Sequence, residues 1–109
     1  MNIIQQVMEI ITKSYGENLE KALRGSIHFS DMTIKLEEDF RRAAALVAKE
    51  VLENVNDEIK ESKGRKKEWY VERNNDEKTI STVLGPITYK RTYYVHKQTG
   101  AYAYRLMIK

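Results

Sequence analysis

The feature that most constrains the fold is a long apolar stripe in the middle of the chain. Its members recur every three or four residues and are Leu36, Phe40, Ala43, Ala44, Val47, Val51, Val55 and Ile59. This spacing is typical of an amphipathic α-helix and predicts one helix over residues 32–62, about 45 Å long. Since a compact domain of 109 residues does not require so long a helix, we expect it to lie across a sheet, to pack on another helix or to pair with a second copy of the chain.

The N-terminal residues carry a shorter stripe of the same period, formed by Ile3, Ile4, Val7, Met8, Ile10 and Ile11. We expect this first helix to run to about Tyr15 and to end at Gly16, because glycine commonly terminates helices. A further short helix is expected over residues 18–24, with Gly25 as its terminator.

The sequence pattern changes from helical to alternating near Gly64. A basic run, Arg65-Lys66-Lys67, follows that glycine and is interpreted as a hinge. From Trp69 onward apolar and polar residues alternate, which is typical of β-strands. The strand candidates are residues 68–73, 78–84, 87–96 and 101–108, and the turns between them are Asn74-Asn75-Asp76, the two-residue turn Gly85-Pro86, and Gln98-Thr99-Gly100.

These patterns together predict an α+β fold class. N-terminal helices, including one long amphipathic helix, are expected over residues 1–63. A C-terminal antiparallel β-meander of three to four strands is expected over residues 64–109, because short turns between consecutive strands favour antiparallel pairing. At 109 residues the chain is expected to form a single domain.

Composition excludes several classes of protein. Because the chain has no cysteine, disulfides and thiolate metal sites are excluded, and a cytoplasmic location is expected. No apolar run approaches the roughly 20 residues of a membrane span, so no membrane contact is expected. The sequence has no glycine-rich phosphate loop and only two histidines, His28 and His96, which are interpreted as exposed or turn-packing residues. We therefore expect no cofactor, no metal site, no small-molecule substrate and no enzymatic activity of the chain by itself.

Charge is divided unevenly along the chain. Residues 31–62 carry five basic and nine acidic side chains, a net charge of −4, whereas residues 63–109 carry eleven basic and four acidic ones, a net charge of +7. A basic C-terminal half indicates a polyanion as its partner. The same division also fits electrostatic attraction between the two halves within one fold, so both interpretations stay open.

The segment "ITYKRTYYVHKQTGAYAYRL", residues 87–106, holds five of the seven tyrosines with basic residues between them. Strand alternation divides its first part into two faces. The inward face is expected to carry Ile87, Tyr89, Arg91, Tyr93 and Val95, and the outward face Thr88, Lys90, Thr92, Tyr94 and His96. An inward arginine is expected to pair with a carboxylate of the acidic helix or to project past the sheet.

Cations beside aromatic rings are typical of surfaces that hold nucleic acid. The candidate nucleic-acid-binding residues are Arg65, Lys66, Lys67, Lys90, Arg91, Tyr94 and Lys97. The alternative is that tyrosine simply packs well on a pleated sheet and that the cations are solvated residues that prevent aggregation of strand edges.

The segment "TVLGPITYKRTYYVHKQTGAYAYRL" resembles a stretch near the N-terminus of the ISLre-type insertion-sequence transposases, a bacterial family long counted as uncharacterised. The shared pattern is Thr-x-x-Gly-x-Ile-x-Tyr-x-Arg-x-Tyr-Tyr, a short turn, and Gly-x-Tyr-x-Tyr. The matching positions are Thr82, Gly85, Ile87, Tyr89, Arg91, Thr92, Tyr93, Tyr94, Gly100, Tyr102 and Tyr104. The long helix, the basic run and "EWYVERNNDEKTISTVLG" also resemble that family, so the similarity extends from about residue 30 onward.

The resemblance implies an N-terminal region that precedes an RNase H-like catalytic domain with an acidic metal-binding triad. Such a region is expected to bind transposon-end DNA or to help assemble the transposase of this mobile element. After Tyr104 the chain departs from the family pattern, which indicates a short or decayed copy or a piece of a longer transposase, and no catalytic residue can be assigned.

From the resemblance and the residues we expect a non-catalytic DNA-binding or assembly domain that contacts DNA through a basic β-ribbon and the hinge. We also expect a homo-oligomer, formed through the long helix. The alternative is a helix-mediated homo-oligomerisation module without a nucleic-acid ligand.

Overall fold

The computed structural model describes residues 2–106, which form three helices followed by three strands. The helices are α1 (Ile3–Leu23), α2 (Phe29–Lys60) and α3 (Lys63–Glu68), and the strands are β1 (Trp69–Thr82), β2 (Gly85–His96) and β3 (Tyr102–Tyr104). The strands form one sheet in the order β1-β2-β3, with antiparallel pairing between β2 and β3. The predicted α+β class, with one long helix and a C-terminal antiparallel meander, is confirmed.

The chain divides into two compact units. One contains the residues up to Ala48 together with Val83–Gly85, and the other contains Lys49–Thr82 and the residues from Pro86 onward. The first unit therefore holds α1 and the first part of α2. The second holds the remainder of α2, α3 and nearly all of the sheet.

The N-terminal part of the chain is one continuous helix, α1, where two were predicted. It begins with a capping box, in which the Asn2 side chain accepts from the Gln5 N–H and the Gln5 side chain accepts from the Asn2 N–H. Gly16 lies within the helix, so the predicted end at Gly16 is wrong. An interior glycine costs a helix only about 1 kcal/mol, which a helix of 21 residues tolerates.

The end of α1 is the predicted one. Gly25 has a φ of 64°, in the left-handed region that glycine adopts without steric cost. The Ser26 N–H donates to the Lys21 carbonyl at 2.9 Å and the Gly25 N–H donates to the Ala22 carbonyl at 3.1 Å. These two bonds form a Schellman motif, which satisfies the last carbonyls of the helix.

The first unit buries polar side chains and exposes apolar ones. Its buried residues include Ser14 and Asn18 on α1 and Asp39 and Ala43 on α2. Asp39 is 2.8 Å from Lys35 Nζ, and this hydrogen-bonded ion pair lowers the pKa of the carboxyl group. The exposed large apolar residues of the unit are Ile4, Met8, Tyr15, Leu19, Leu23, Phe29, Ile34, Phe40, Val47 and Val83.

Strand β1 is longer than predicted, because it runs through Asn74-Asn75-Asp76. The predicted turn at these residues is wrong. Asn75 adopts a φ of 62° inside the strand, a left-handed conformation that asparagine tolerates better than most residues. The asparagine-rich sequence therefore marks a local irregularity of one strand and not the connection between two strands.

The hairpin turn between β1 and β2 lies at Val83-Leu84 and not at the predicted Gly85-Pro86. Gly85 is the first residue of β2 and has a φ of 95°. Glycine in this conformation directly after a hairpin turn restores the pairing of the strands. Pro86 follows inside the strand, where it does not donate a ladder hydrogen bond.

Helix α2 covers part of one edge of β2. The short strand β3 pairs only with Tyr93, Tyr94 and Val95 of β2. Before that point, the Lys90 N–H donates to Glu53 Oε2 at 2.9 Å and the Thr92 N–H donates to Asn56 Oδ1 at 3.0 Å. Side chains of α2 thus satisfy strand donors that β3 does not reach, which protects the edge from pairing with another chain.

Candidate nucleic-acid interface

The buried face of β2 changes along the strand. In its first half Ile87 and Tyr89 are buried, as predicted, but in its second half the buried residues are Thr92 and Tyr94. Asn56 of α2 contacts the strand where the face changes, since its amide accepts from the Thr92 N–H and donates to Thr92 Oγ1, both at 3.0 Å. The prediction that one set of alternate residues faces inward along the whole strand is therefore wrong.

Tyr94 is one of the residues that the change of face places in the interior. Its exposed fraction is 0%, and burial raises the pKa of its hydroxyl group. The Arg65 guanidinium lies 5.9 Å from the centre of its ring. The predicted outward placement of Tyr94 is wrong, and in this conformation the ring cannot contact a partner.

Arg65 holds secondary structure together. Its Nε donates to the Lys60 carbonyl at the end of α2 at 2.6 Å, and its Nη1 donates to the Trp69 carbonyl at 3.3 Å. The predicted hinge is also wrong, because the basic run lies in α3, which Ser62 caps by accepting from the Arg65 N–H. Arg65 is half-buried, so little of its charge faces solvent.

Three of the predicted cations form a common surface, which we call the basic cluster: Lys66, Lys67 and Lys97. Lys97 Nζ donates to the Lys66 carbonyl at 2.6 Å and lies 4.7 Å from the centre of the Tyr70 ring. The side chain of Lys66 is 3.0 Å from Glu61 Oε2, and this pairing lowers the pKa of Glu61. All three lysines are exposed.

A cavity of about 260 Å³ opens beside the basic cluster, lined by Lys67, Glu68, His96, Lys97 and Gln98. His96 orders its wall, since Nδ1 accepts from the backbone N–H groups of Gln98 and Thr99, both at 3.2 Å. The Trp69 ring and the imidazole are perpendicular to each other, with ring centres 4.8 Å apart. Two lysines therefore flank a rigid turn.

Lys90 and Arg91 make contacts of a different kind. The Lys90 side chain is exposed, and among residues 2–106 its backbone N–H donates to Glu53 while its side chain has no hydrogen bond or ion pair. The Arg91 guanidinium lies 3.5 Å from the centre of the Tyr104 ring. Arg91 thus stacks on an aromatic ring, and the prediction that it pairs with the acidic helix or projects past the sheet is wrong.

Sequence analysis missed an aromatic cluster on β2 and β3, which we call the tyrosine ladder: Tyr93, Tyr102 and Tyr104. Tyr93 stacks on Tyr102 with ring centres 5.5 Å apart and planes at 14°, and it lies 4.7 Å from Tyr104 at 41°. The signal was the repeated Tyr-x-Tyr spacing on paired strands. That spacing predicts a cluster only once the register of the two strands is known, and the register places Tyr93 opposite Tyr104.

The tyrosine ladder is held by a charged network on β1. The Tyr104 hydroxyl donates to Asp76 Oδ2 at 2.8 Å, and Arg73 Nη2 is 3.0 Å from the same oxygen. The hydrogen bond from Arg73, and after it the one from Tyr104, lowers the pKa of Asp76. The same bond to Asp76 is the main reason that the pKa of Arg73 is raised. The Arg73 guanidinium also lies 4.5 Å from the centre of the Tyr93 ring.

Two negative findings apply to residues 2–106. Within that range no three histidine, cysteine, aspartate or glutamate side chains come close enough together to hold a metal ion. None of the helices in the described part of the chain has the length and apolarity needed to cross a membrane.

Comparison with known protein families identifies the family of this chain. The model of the uncharacterised protein family UPF0236 matches residues 22–107, most of the sequence. The chain belongs to this family. The match includes α2, α3, β1 and β2 together with β3, so the basic cluster and the tyrosine ladder both lie within the family region.

The curated relatives include several UPF0236 proteins of Caldanaerobacter subterraneus subsp. tengcongensis. The UPF0236 protein TTE2489 is 34% identical over 104 residues, which is 95% of this chain and 21% of the relative. The UPF0236 protein TTE0402 of the same organism is also 34% identical over 95% of this chain and is covered to 19%. The chain thus spans about a fifth of the length of these relatives. No solved structure matches the chain.

Proposed function

We propose that the chain is a non-catalytic DNA-binding and assembly domain of a transposase-like protein, and that it contacts the DNA backbone through the basic cluster. The observation that carries the proposal is the 2.6 Å bond from Lys97 Nζ to the Lys66 carbonyl. It joins a lysine of the turn after β2 to the lysines of α3, so that residues distant in sequence present charge together.

The charges of the basic cluster suit phosphate contacts. Lys67 has no ion pair among the described residues, and Lys66 has only one exposed partner, whose carboxylate does not cancel the cluster. Phosphate neutralisation by exposed lysines releases counterions and supplies affinity independent of sequence. The net charge of +7 over residues 63–109 also favours binding to a polyanion such as DNA.

The transposase assignment has a separate support, which is the resemblance of residues 82–104 to the N-terminal segment of ISLre-type transposases. The chain covers about a fifth of its relatives, as an accessory region of a larger enzyme would. In this proposal the acidic catalytic triad belongs to the remaining part of such a protein, and the chain itself supplies DNA contacts and no catalytic residue.

The test is DNA binding by the chain across a salt series, with a mixed-sequence duplex and fluorescence anisotropy as the measurement. We expect log affinity to fall linearly with log salt concentration, by about 0.9 per phosphate contact. The double variant Lys66→Gln/Lys67→Gln is expected to bind more weakly and to lower that slope by about 2. Lys13→Gln/Lys21→Gln, which removes the same charge from α1, is the matched control.

Equal losses in the two double variants would mean that net charge alone attracts DNA and that the basic cluster has no special role. Absence of binding to any duplex at about 50 mM salt would contradict the proposal as a whole.

A second candidate function is self-association through the helices, without a nucleic-acid ligand. The exposed apolar residues of the first unit favour it, since Phe40 and Val47 on α2 are 49% and 45% exposed although they lie on the apolar stripe. Contiguous exposed apolar surface commonly marks a protein interface. A second copy of the chain is the occupant that this candidate names.

A further inference from the structure

The tyrosine ladder has one open end. Arg73 lies over Tyr93 and Arg91 lies over Tyr104, so these two rings have a cation on one face. Tyr102 stacks on Tyr93 through one face only, and 57% of its surface is exposed. Among residues 2–106, the ring of Tyr102 has no second aromatic or cationic neighbour.

Arg91, which stacks on the ladder residue Tyr104, has an unused donor. Arg91 Nε is buried and has no hydrogen-bond partner among the described residues. A buried guanidinium N–H without an acceptor is costly, because its interaction with water is lost and nothing replaces it. The Asp76 carboxylate nearby already accepts from Arg73 and Tyr104. Because Nε is buried, a ligand does not reach it in this conformation, and Arg91 supports the ladder by stacking on Tyr104.

We propose that the open face of Tyr102 stacks an unpaired base of single-stranded nucleic acid. An exposed aromatic ring in a basic region, here residues 63–109 with a net charge of +7, is typical of surfaces that bind single strands without sequence preference, since every base has a π-face. Duplex DNA does not offer that face, because its bases are stacked on one another.

This site deepens the proposed function and depends on it for the class of partner. It differs from the basic cluster in its chemistry: the basic cluster recognises phosphate charge on any nucleic acid, whereas the tyrosine ladder requires a free base. The ladder's rigidity favours binding, since stacked Tyr93, Tyr102 and Tyr104 lose little further side-chain freedom when a base is added.

The experiment compares two labelled oligonucleotides of equal length and charge, oligothymidylate and a chain of abasic spacers. We expect the wild-type chain to bind oligothymidylate about 5- to 100-fold more tightly than the abasic chain. The variant Tyr102→Ala is expected to bind both about equally, whereas Tyr102→Phe retains the preference. Tyr15→Ala, which removes an exposed tyrosine from α1, is the matched control and is expected to keep the wild-type ratio.

The affinity ratio is insensitive to the folded fraction, since both oligonucleotides are measured with the same preparation. A wild-type chain that binds both oligonucleotides equally would overturn the stacking site while leaving duplex binding by the basic cluster intact. A preference for oligothymidylate that survives in Tyr102→Ala would also overturn it. Failure to bind any nucleic acid at low salt would overturn both proposals and would leave Tyr102 as a surface for a protein partner.

Discussion

At the scale of single residues, two arginines that look alike in the sequence have different partners in the structure. Arg65 and Arg91 look alike in the sequence as cations beside tyrosines. Arg65 donates to two backbone carbonyls, whereas Arg91 stacks on Tyr104 and leaves Nε without an acceptor. Sequence analysis predicted both as nucleic-acid ligands, because the partner of a long side chain depends on elements that are distant in sequence.

A pH dependence of stability is predicted for Asp76. Arg73 and Tyr104 lower its pKa in the folded chain, so its carboxylate stabilises the fold above the ordinary value of 3.8 and this contribution is lost as the pH falls through the folded pKa. We expect Asp76→Asn to lower the urea midpoint at about pH 6 and the gap from wild type to shrink toward about pH 2. Trp69 fluorescence can follow the unfolding.

The control for Asp76 is Glu77→Gln, which changes an exposed carboxylate on the same strand that has no ion pair among the described residues. It is expected to leave the midpoint nearly unchanged at both pH values. A gap between wild type and Asp76→Asn that stays constant with pH would show that the network with Arg73 does not stabilise the charged carboxylate.

At the scale of elements, periodicity predicted the long helix and the strands, but turn residues predicted the connections poorly and packing was not predicted. The long helix and the strands follow from periodicity, which acts over a few positions, whereas glycine and asparagine placed two of the three predicted turns wrongly. The buried face of β2 could not be predicted in this way, because it changes where Asn56 of α2 meets Thr92. Likewise Asn75 adopts a left-handed conformation within β1, and sequence alone does not distinguish such a residue from a turn.

The contact at which the buried face changes gives a prediction at this scale. Asn56→Ala removes the acceptor of the Thr92 N–H and the donor to Thr92 Oγ1, and it leaves both groups buried. We expect the free energy of unfolding to fall by about 2 kcal/mol, measured by urea denaturation. Asn54→Ala, at an exposed position on the same helix, is expected to change it by less than about 0.5 kcal/mol. Similar effects of the two variants would mean that the amide pair does not anchor β2.

At the scale of the whole molecule, the chain leaves two kinds of surface open. The second unit presents basic and aromatic side chains, and the first presents apolar ones. The charge division in the sequence predicted the basic surface, and helical periodicity predicted the apolar one. Neither pattern could identify an occupant, since a chain that spans about a fifth of its relatives can use such a surface toward a second copy, DNA or another region of the longer protein.

A measurement of self-association tests whether a second copy of the chain occupies the apolar surface. If a second copy covers the apolar surface, light scattering at increasing concentration is expected to give a mass above that of the 12.8 kDa chain. The variant Phe40→Ser/Val47→Ser is expected to shift the equilibrium to the monomer, because it removes apolar area from the interface. Arg41→Ser, which breaks only the exposed ion pair with Glu37, is expected to leave it unchanged, since such surface pairs contribute about 0–1 kcal/mol. A wild-type monomer at every concentration would exclude the second copy and leave another protein region as the occupant of this surface.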